Sequence, residues 1–180
     1  MLSIVLNIAI FVIDFKNNMY YHKNGTHVRF YSVTIRGVKD RMRDAEKTIG
    51  NLIDKQGTVY ISSVDEEGFP NTKAMNAPRK REGIREFYFS TNTSSMRVKQ
   101  YQENPKACIY FCDKRFYRGV MLKGRMEVLF DEENKEMIWL PGDTMYYSKG
   151  VTDPDYCVLK FTVEEGRYYS NFKSETFQIM

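Results

Sequence analysis

The chain has 180 residues, with 27 Lys and Arg against 23 Asp and Glu, a formal charge of +4 at pH 7. At 42% hydrophobic and 28% charged, it is neither disordered nor embedded in a membrane. Its length suits one domain, or one with an appendage, that needs no disulfide or metal to fold. A charge this small and mixed in sign is weak evidence for a nucleic-acid partner. The 14% aromatic content leans towards β-structure and flat apolar walls.

Leu2 to Ile13 is an apolar run of twelve, too short to span a bilayer. No basic residue precedes it, and Asp14-Phe15-Lys16-Asn17 after it offers no small-residue cleavage site, so it does not read as a signal peptide. Residues 1–37 read as an N-terminal extension: an extra strand or helix, or a segment ahead of an ancestral start at Met19. The domain itself is expected over 38–180.

From Val38 the apolar residues Met42, Ala45, Ile49, Leu52 and Ile53 recur at helical spacing, and Gly57 reads as the C-terminal cap. Thr58 to Asp65 reads as a strand, Glu66-Glu67-Gly68 as a turn and Phe69 to Ala77 as the partner strand. Pro78 to Gly83 reads as a second turn, with Arg79, Lys80, Arg81 and Arg85 forming a solvated basic tip, and Glu86 to Ser90 as a third strand. A short helix follows over Ser95 to Glu103, capped by Thr93 or Ser94 and stopped by Asn104-Pro105.

Strands are next predicted over Ala107 to Asp113 and Tyr117 to Phe130, the second bent at Gly119 and Gly124. A helix starts at Asp131 and runs to about Leu140; Glu132, Glu133 and Glu136 form its polar face. Tyr156 to Val163 is a strand, with Arg167 to Phe172 as its hairpin mate across Glu164-Glu165-Gly166. The fold class expected is mainly β, an antiparallel split barrel with flanking helices.

Three cysteines without a CxxC exclude a disulfide framework and a zinc knuckle. Cys108 and Cys112 share a strand face roughly 13 Å apart, too far to bridge. A reducing, cytoplasmic compartment is expected. The only histidines, His22 and His27, lie in the extension, which excludes a Ser-His-Asp triad, an HExxH metal site and a His-ligated haem from the body. The chemistry is therefore expected to rest on a borrowed cofactor.

Three stretches could hold one. Gly68-Phe-Pro-Asn-Thr-Lys73-Ala-Met-Asn carries a lone lysine among small residues. Ser90-Thr91-Asn92-Thr93-Ser94-Ser95-Met96-Arg97 runs from a strand end into a helix start, where free N–H groups, hydroxyls and an arginine suit a phosphate. Tyr117-Arg118-Gly119-Val120 opens the long strand. Singly, a plain helix cap and a solvated strand lysine explain the first two as well.

In order and spacing these pieces resemble the pyridoxamine 5'-phosphate oxidase-like, FMN-binding split-barrel superfamily, and within it the general-stress-protein branch. The matching elements are G-x-P-x-x-(R/K) at Gly68–Lys73 and (Y/S)-T-N at Ser90–Asn92. The helix stop Asn104-Pro105 and the stretch Gly150–Tyr156 before Val158-Leu-Lys-Phe also match. The resemblance implies an FMN phosphate gripped by Lys73, Ser95 and Arg97, with Arg97 a surface-facing first-turn residue. It also implies backbone contacts to the isoalloxazine from Ala74 and Met75, Ser90 and Thr91 nearby, and Arg118 and Gly119 along the ring or ribityl chain. A homodimer with flavin at its interface is implied, as is a small-molecule substrate, with no nucleic acid and no membrane partner.

The departures from the oxidase are Pro78 in place of a basic residue, Met96-Arg97 in place of Arg-Lys, and no R-x-H motif in Arg167–Phe172. They point away from pyridoxamine phosphate oxidation and leave FAD or a deazaflavin as alternatives to FMN. The expected function is an oxidoreductase passing electrons from a reduced nicotinamide to a small acceptor. The alternatives are a non-catalytic flavin-binding or sensing protein and a basic nucleic-acid-binding barrel. Trp139 and Met145-Tyr146-Tyr147 read as core or interface, and Tyr168, Tyr169 and Phe172 as packing or pocket wall.

Overall fold

The computed structural model describes residues 12–14, 18–23, 26–31 and 46–179. By internal contacts the chain divides into two compact units, Met1–Ala45 and Glu46–Met180. In the first, β1 (Val12–Asp14), β2 (Asn18–Lys23) and β3 (Thr26–Tyr31) form an antiparallel three-stranded sheet. The β2–β3 pairing runs from Asn18 opposite Tyr31 to Lys23 opposite Thr26. Residues 2–11 of the apolar run and 38–45 of the expected helix lie outside the described residues.

The second unit opens with α1 over residues 46–53, which buries Ile49, Leu52 and Ile53 as the apolar stripe requires. Gly57 is not its left-handed cap. The helix closes earlier, where Lys55 and Gln56 donate back three residues to Leu52 and Ile53, and the Gln56 side chain also donates to Leu52 O. The carbonyl of Gly57 instead accepts from Ala77 N at 3.1 Å.

Eight strands make the main sheet: β4 (Thr58–Val64), β5 (Pro70–Asn76), β6 (Lys80–Glu82), β7 (Glu86–Asn92), β8 (Lys106–Asp113), β9 (Arg118–Leu129), β10 (Tyr156–Ser170) and β11 (Lys173–Gln178). Their order is β5-β4-β8-β9-β10-β7-β6, all antiparallel, with β11 also on β10. Edges β5 and β6 do not pair with each other, so the barrel is split. Phe87, Phe89, Phe111 and Phe161, with Ile61, Ile109, Leu122 and Leu159, fill its interior. Two helices flank it, α2 (Met96–Glu103) and α3 (Glu132–Ile138). Asp131 caps α3 by accepting from Asn134 N.

Two expected turns are strand instead. Lys80–Glu82 pairs with β7, and the reversal falls at Gly83, whose φ is +57°. Half of the basic tip is tied down, where Arg81 makes a two-pronged contact with Asp54 and Arg79 a 2.6 Å ion pair with Asp143, while Lys80 and Arg85 keep much of their solvent exposure.

Nor do Glu164–Gly166 form a turn. β10 runs straight through them, with a bulge between Val163 and Glu165 that faces Gly124. A Cβ on Gly124 would run into Thr162 O, so this glycine serves close strand approach opposite the bulge. Gly166 lies beneath the Phe177 ring. The reversal comes later, at Asn171 and Phe172, both left-handed at φ +52° and +60°, and the mate is β11.

On the outer face of β7 and β10, Tyr88, Ile138, Tyr147, Tyr156 and Val158 form a second buried cluster, with Trp139 packed against it. Met145 and Tyr146 stay exposed beside it.

Candidate functional site

Cross-strand partners in a sheet share a face, and alternate residues do too. On one face of the β4–β5 pair lie Val59, Ile61 and Ser63 opposite Met75, Lys73 and Asn71. Helix α2 packs on this face: Ser63 Oγ donates to Gln100 Oε1 at 2.6 Å, and both residues are buried. One turn earlier, Arg97 Nη1 sits 3.1 Å from Met75 Sδ. Arg97 and Lys73 are therefore both neighbours of Met75, the first across the helix–strand contact and the second two residues along β5.

Arg97 is only 8% exposed, not surface-facing as its place in the first helical turn suggests. Among the described residues it makes no ion pair, and its nearest polar partner is a thioether, a weak acceptor. The N-cap of α2 is Ser95, not Thr93 or Ser94, and its side chain makes no capping bond. Ser95 Oγ is buried with no hydrogen-bond partner, and so is Thr93 Oγ1. The first turn of α2 thus carries a buried cation, an orphaned hydroxyl at its N-cap and the free N–H groups of a helix start, and Lys73 is exposed on the strand beside which Arg97 packs. These donors lack an acceptor, and a phosphate supplies one.

The other expected contacts are distributed differently. Ala74 is exposed on the opposite face of β5, beside Tyr60. Thr91 is buried on the interior face of β7, where Cys157 donates to its carbonyl, while Ser90 points to the outer face with Tyr88. Arg118 and Gly119 sit at the β8–β9 hairpin. There Arg118 donates to Asp113 at 2.7 Å and lies over the Phe116 ring, with its Nε buried and unpartnered. Gly119 is covered by Tyr110, whose hydroxyl stands where an added Cβ would lie. Of the expected residues, Arg97 touches Met75, Lys73 stands two residues along β5 on the same face and Ser95 two residues ahead of Arg97 in the chain; Ala74 and Ser90 lie on other faces, and Arg118 and Gly119 at the β8–β9 hairpin. Tyr169 is part-exposed and Phe172 almost wholly exposed.

Asp155 has no expected role, yet it fixes the loop that delivers Ser95. Its carboxylate accepts from Asn92 Nδ2 and Ser94 N, each at 2.7 Å, and its carbonyl accepts from Thr93 N. These bonds hold the Asp155 carboxyl below its ordinary value of 3.8, the Asn92 contact most of all. A depressed folded pKa gives stability that is complete above the unfolded value and lost as pH falls through the folded one. The stability difference between wild type and Asp155→Asn, followed by urea unfolding, is therefore expected to be constant above about pH 5 and to shrink below pH 3.8. A difference that holds at pH 2.5 would contradict this.

Comparison with known proteins gives the same outline. A family model described as pyridoxamine 5'-phosphate oxidase matches residues 45–170. A Clostridium acetobutylicum protein related to general stress protein 26 of B. subtilis, of the pyridoxinephosphate oxidase family, is 40% identical. The match covers 76% of this chain and 95% of that one, at a TM-score of 0.70. The pyridoxine/pyridoxamine 5'-phosphate oxidase of Legionella pneumophila (strain Lens) is 31% identical over 76 residues, 42% of this chain and 34% of that one. The chain thus matches about a third of the length of that curated relative. A heme binding protein from Mycobacterium smegmatis shares the fold at 14% identity, TM-score 0.61, over 74% of this chain and 57% of its own. From the family match, the split barrel and the general-stress-protein relatives together, the chain belongs to the pyridoxamine 5'-phosphate oxidase family, on its general-stress-protein branch.

Proposed function

We propose that the protein is a homodimeric FMN-binding flavoprotein that passes electrons from a reduced nicotinamide to a small acceptor. One observation carries the cofactor assignment: the buried Arg97 guanidinium has no carboxylate partner among the described residues and lies at the helix start that bears the orphaned Ser95 hydroxyl. In the proposed arrangement Arg97, Ser95 and Lys73 hold the FMN phosphate, and the backbone at Ala74 and Met75 borders the ring. Bound flavin supplies hydride and electron transfer. The chain's part is binding, orientation and exclusion of water, which fits a described barrel unit without histidine.

Dimer formation is supported by an exposed sheet face. Ala74, Tyr60, Tyr110, Met121 and Arg167 lie in register across five strands, and edge strand β5 pairs on one edge only and is exposed along most of its length. Such a face suits an isologous contact. The departures from the oxidase at Pro78, Met96 and Arg167–Phe172 place pyridoxamine phosphate outside the proposed substrates.

The visible spectrum of the purified protein, before and after loading with FMN and desalting, tests the assignment. A retained flavin band, followed by nicotinamide oxidation with an added acceptor, is the expected result. Retained flavin without turnover would favour the sensing role. A colourless protein after loading with FMN, FAD and a deazaflavin would remove the assignment, and a haem Soret band in its place would replace it.

A further inference from the structure

Two of the clefts on the main unit differ in charge balance. The larger, about 460 Å³, is lined in part by Lys123 and Arg125, each matched by a carboxylate, Glu165 and Glu164. The smaller, about 370 Å³, lies where the loop after α1 meets the start of β4 and the end of β8. Its lining includes Lys55, Lys114 and Arg115 against a single carboxylate, Asp113. That carboxylate is already committed: it accepts from Arg118 Nη2 at 2.7 Å and from Arg115 N, and these bonds hold it ionised below its ordinary range. Lys55 and Lys114 form no ion pair among the described residues. Arg115 shares Asp113 with Arg118, its Nε 3.7 Å from the carboxylate, so two lysines and a half-compensated arginine leave the cleft net positive, which complements a polyanion.

The cleft also has a position relative to the proposed flavin. Two of its wall residues, Thr58 and Tyr60, are the cross-strand partners of Asn76 and Ala74, which flank Met75. The cleft is therefore one strand spacing, roughly 5 Å, from the backbone proposed to border the ring. It opens at Tyr60 on the sheet face opposite Arg97. A ligand that reaches the ring from the margin of the face proposed for the dimer contact can extend its far end into the cleft, where Lys55, Gln56 and Lys114 lie away from that contact.

We propose that this cleft binds the phosphate-bearing adenylate end of the electron donor, a nicotinamide dinucleotide, with Lys55, Lys114 and Arg115 as its phosphate contacts. The proposal deepens the flavoprotein reading and rests on it for the donor's identity. The probe is adenosine 2',5'-bisphosphate, which carries the phosphates and no nicotinamide, titrated by calorimetry into FMN-loaded protein at two salt concentrations. Binding that weakens with salt, and at least about tenfold in a Lys55→Ala/Lys114→Ala/Arg115→Ala variant, is expected, with FMN retention unchanged. The single charge reversal Lys55→Glu gives the same direction if the triple variant folds poorly.

Equal affinity in wild type and variant, or no binding at all, overturns the proposal. Loss of FMN from the variant on desalting overturns it as well, by assigning the cleft to the flavin. Should the wild type hold no flavin, that reading fails separately, because the probe titration on colourless protein still reports on the cleft.

Discussion

Arg97→Ala is expected to abolish FMN retention through desalting while leaving the fold intact. A charge-assisted phosphate contact in a buried setting contributes about 1.5–3 kcal/mol, or roughly ten- to a hundredfold in Kd. In the apo protein the same side chain is a buried cation with only a thioether beside it. Its removal therefore sets free no buried partner, and the apo melting temperature is expected to hold or to rise. The distinguishing measurement is the melting temperature with and without saturating FMN. Wild type gains stability by mass action, and the variant gains much less. Lys73→Ala, on an exposed edge strand, is expected to lower affinity less, and the double variant more than either. An FMN-induced shift equal in wild type and Arg97→Ala would remove Arg97 from the site.

The largest loss of stability is expected from Asp143→Ala. Its side chain is 4% exposed, accepts from Arg79 at 2.6 Å and from Leu140 N at 3.0 Å, and ties the segment after α3 to β6. Removing it strands a partly buried guanidinium, and such a change costs about 3–5 kcal/mol for a fully buried pair. Arg79 keeps 23% side-chain exposure, so the lower end of that range is expected, with an unchanged urea m-value. Arg79→Ala/Asp143→Ala should recover part of the loss, because the uncompensated cation goes with its partner. A double variant no more stable than Asp143→Ala would show that the carboxylate acts through the Leu140 bond alone.

Periodicity carried most of the fold. The strands of the main unit follow alternation that is visible at Thr58–Val64 and Lys106–Asp113, and α2 ends where Asn104-Pro105 requires. The failures have physical causes. A glycine after two glutamates reads as a turn, but Glu164 and Glu165 find Arg125 and Lys123 across the strand, and Gly166 accepts the face of Phe177. The basic run Arg79–Arg81 reads as solvated because its partners, Asp143 and Asp54, are far away in sequence. The proposed site rests on Lys73, Ser95 and Arg97, donor residues that the sequence marks at a strand and a helix start. Asp155 was not legible, since its role is to orient the loop that holds the donors, and nothing local marks a carboxylate for that.

The bulge in β10 also divides that strand into two reading frames. Ahead of it Leu159, Phe161 and Val163 face the interior; beyond it Gly166 and Tyr168 do, and the odd-numbered Arg167 and Tyr169 turn outwards. Glu164 is the residue that changes the parity. Its side chain is replaceable, but its place in the count is not: deleting one residue there would invert every side chain from Glu165 to Ser170, and β11 with them. Evolution can therefore vary the chemistry of the distal hairpin freely so long as the count is kept, which makes length at this position a stricter constraint than identity.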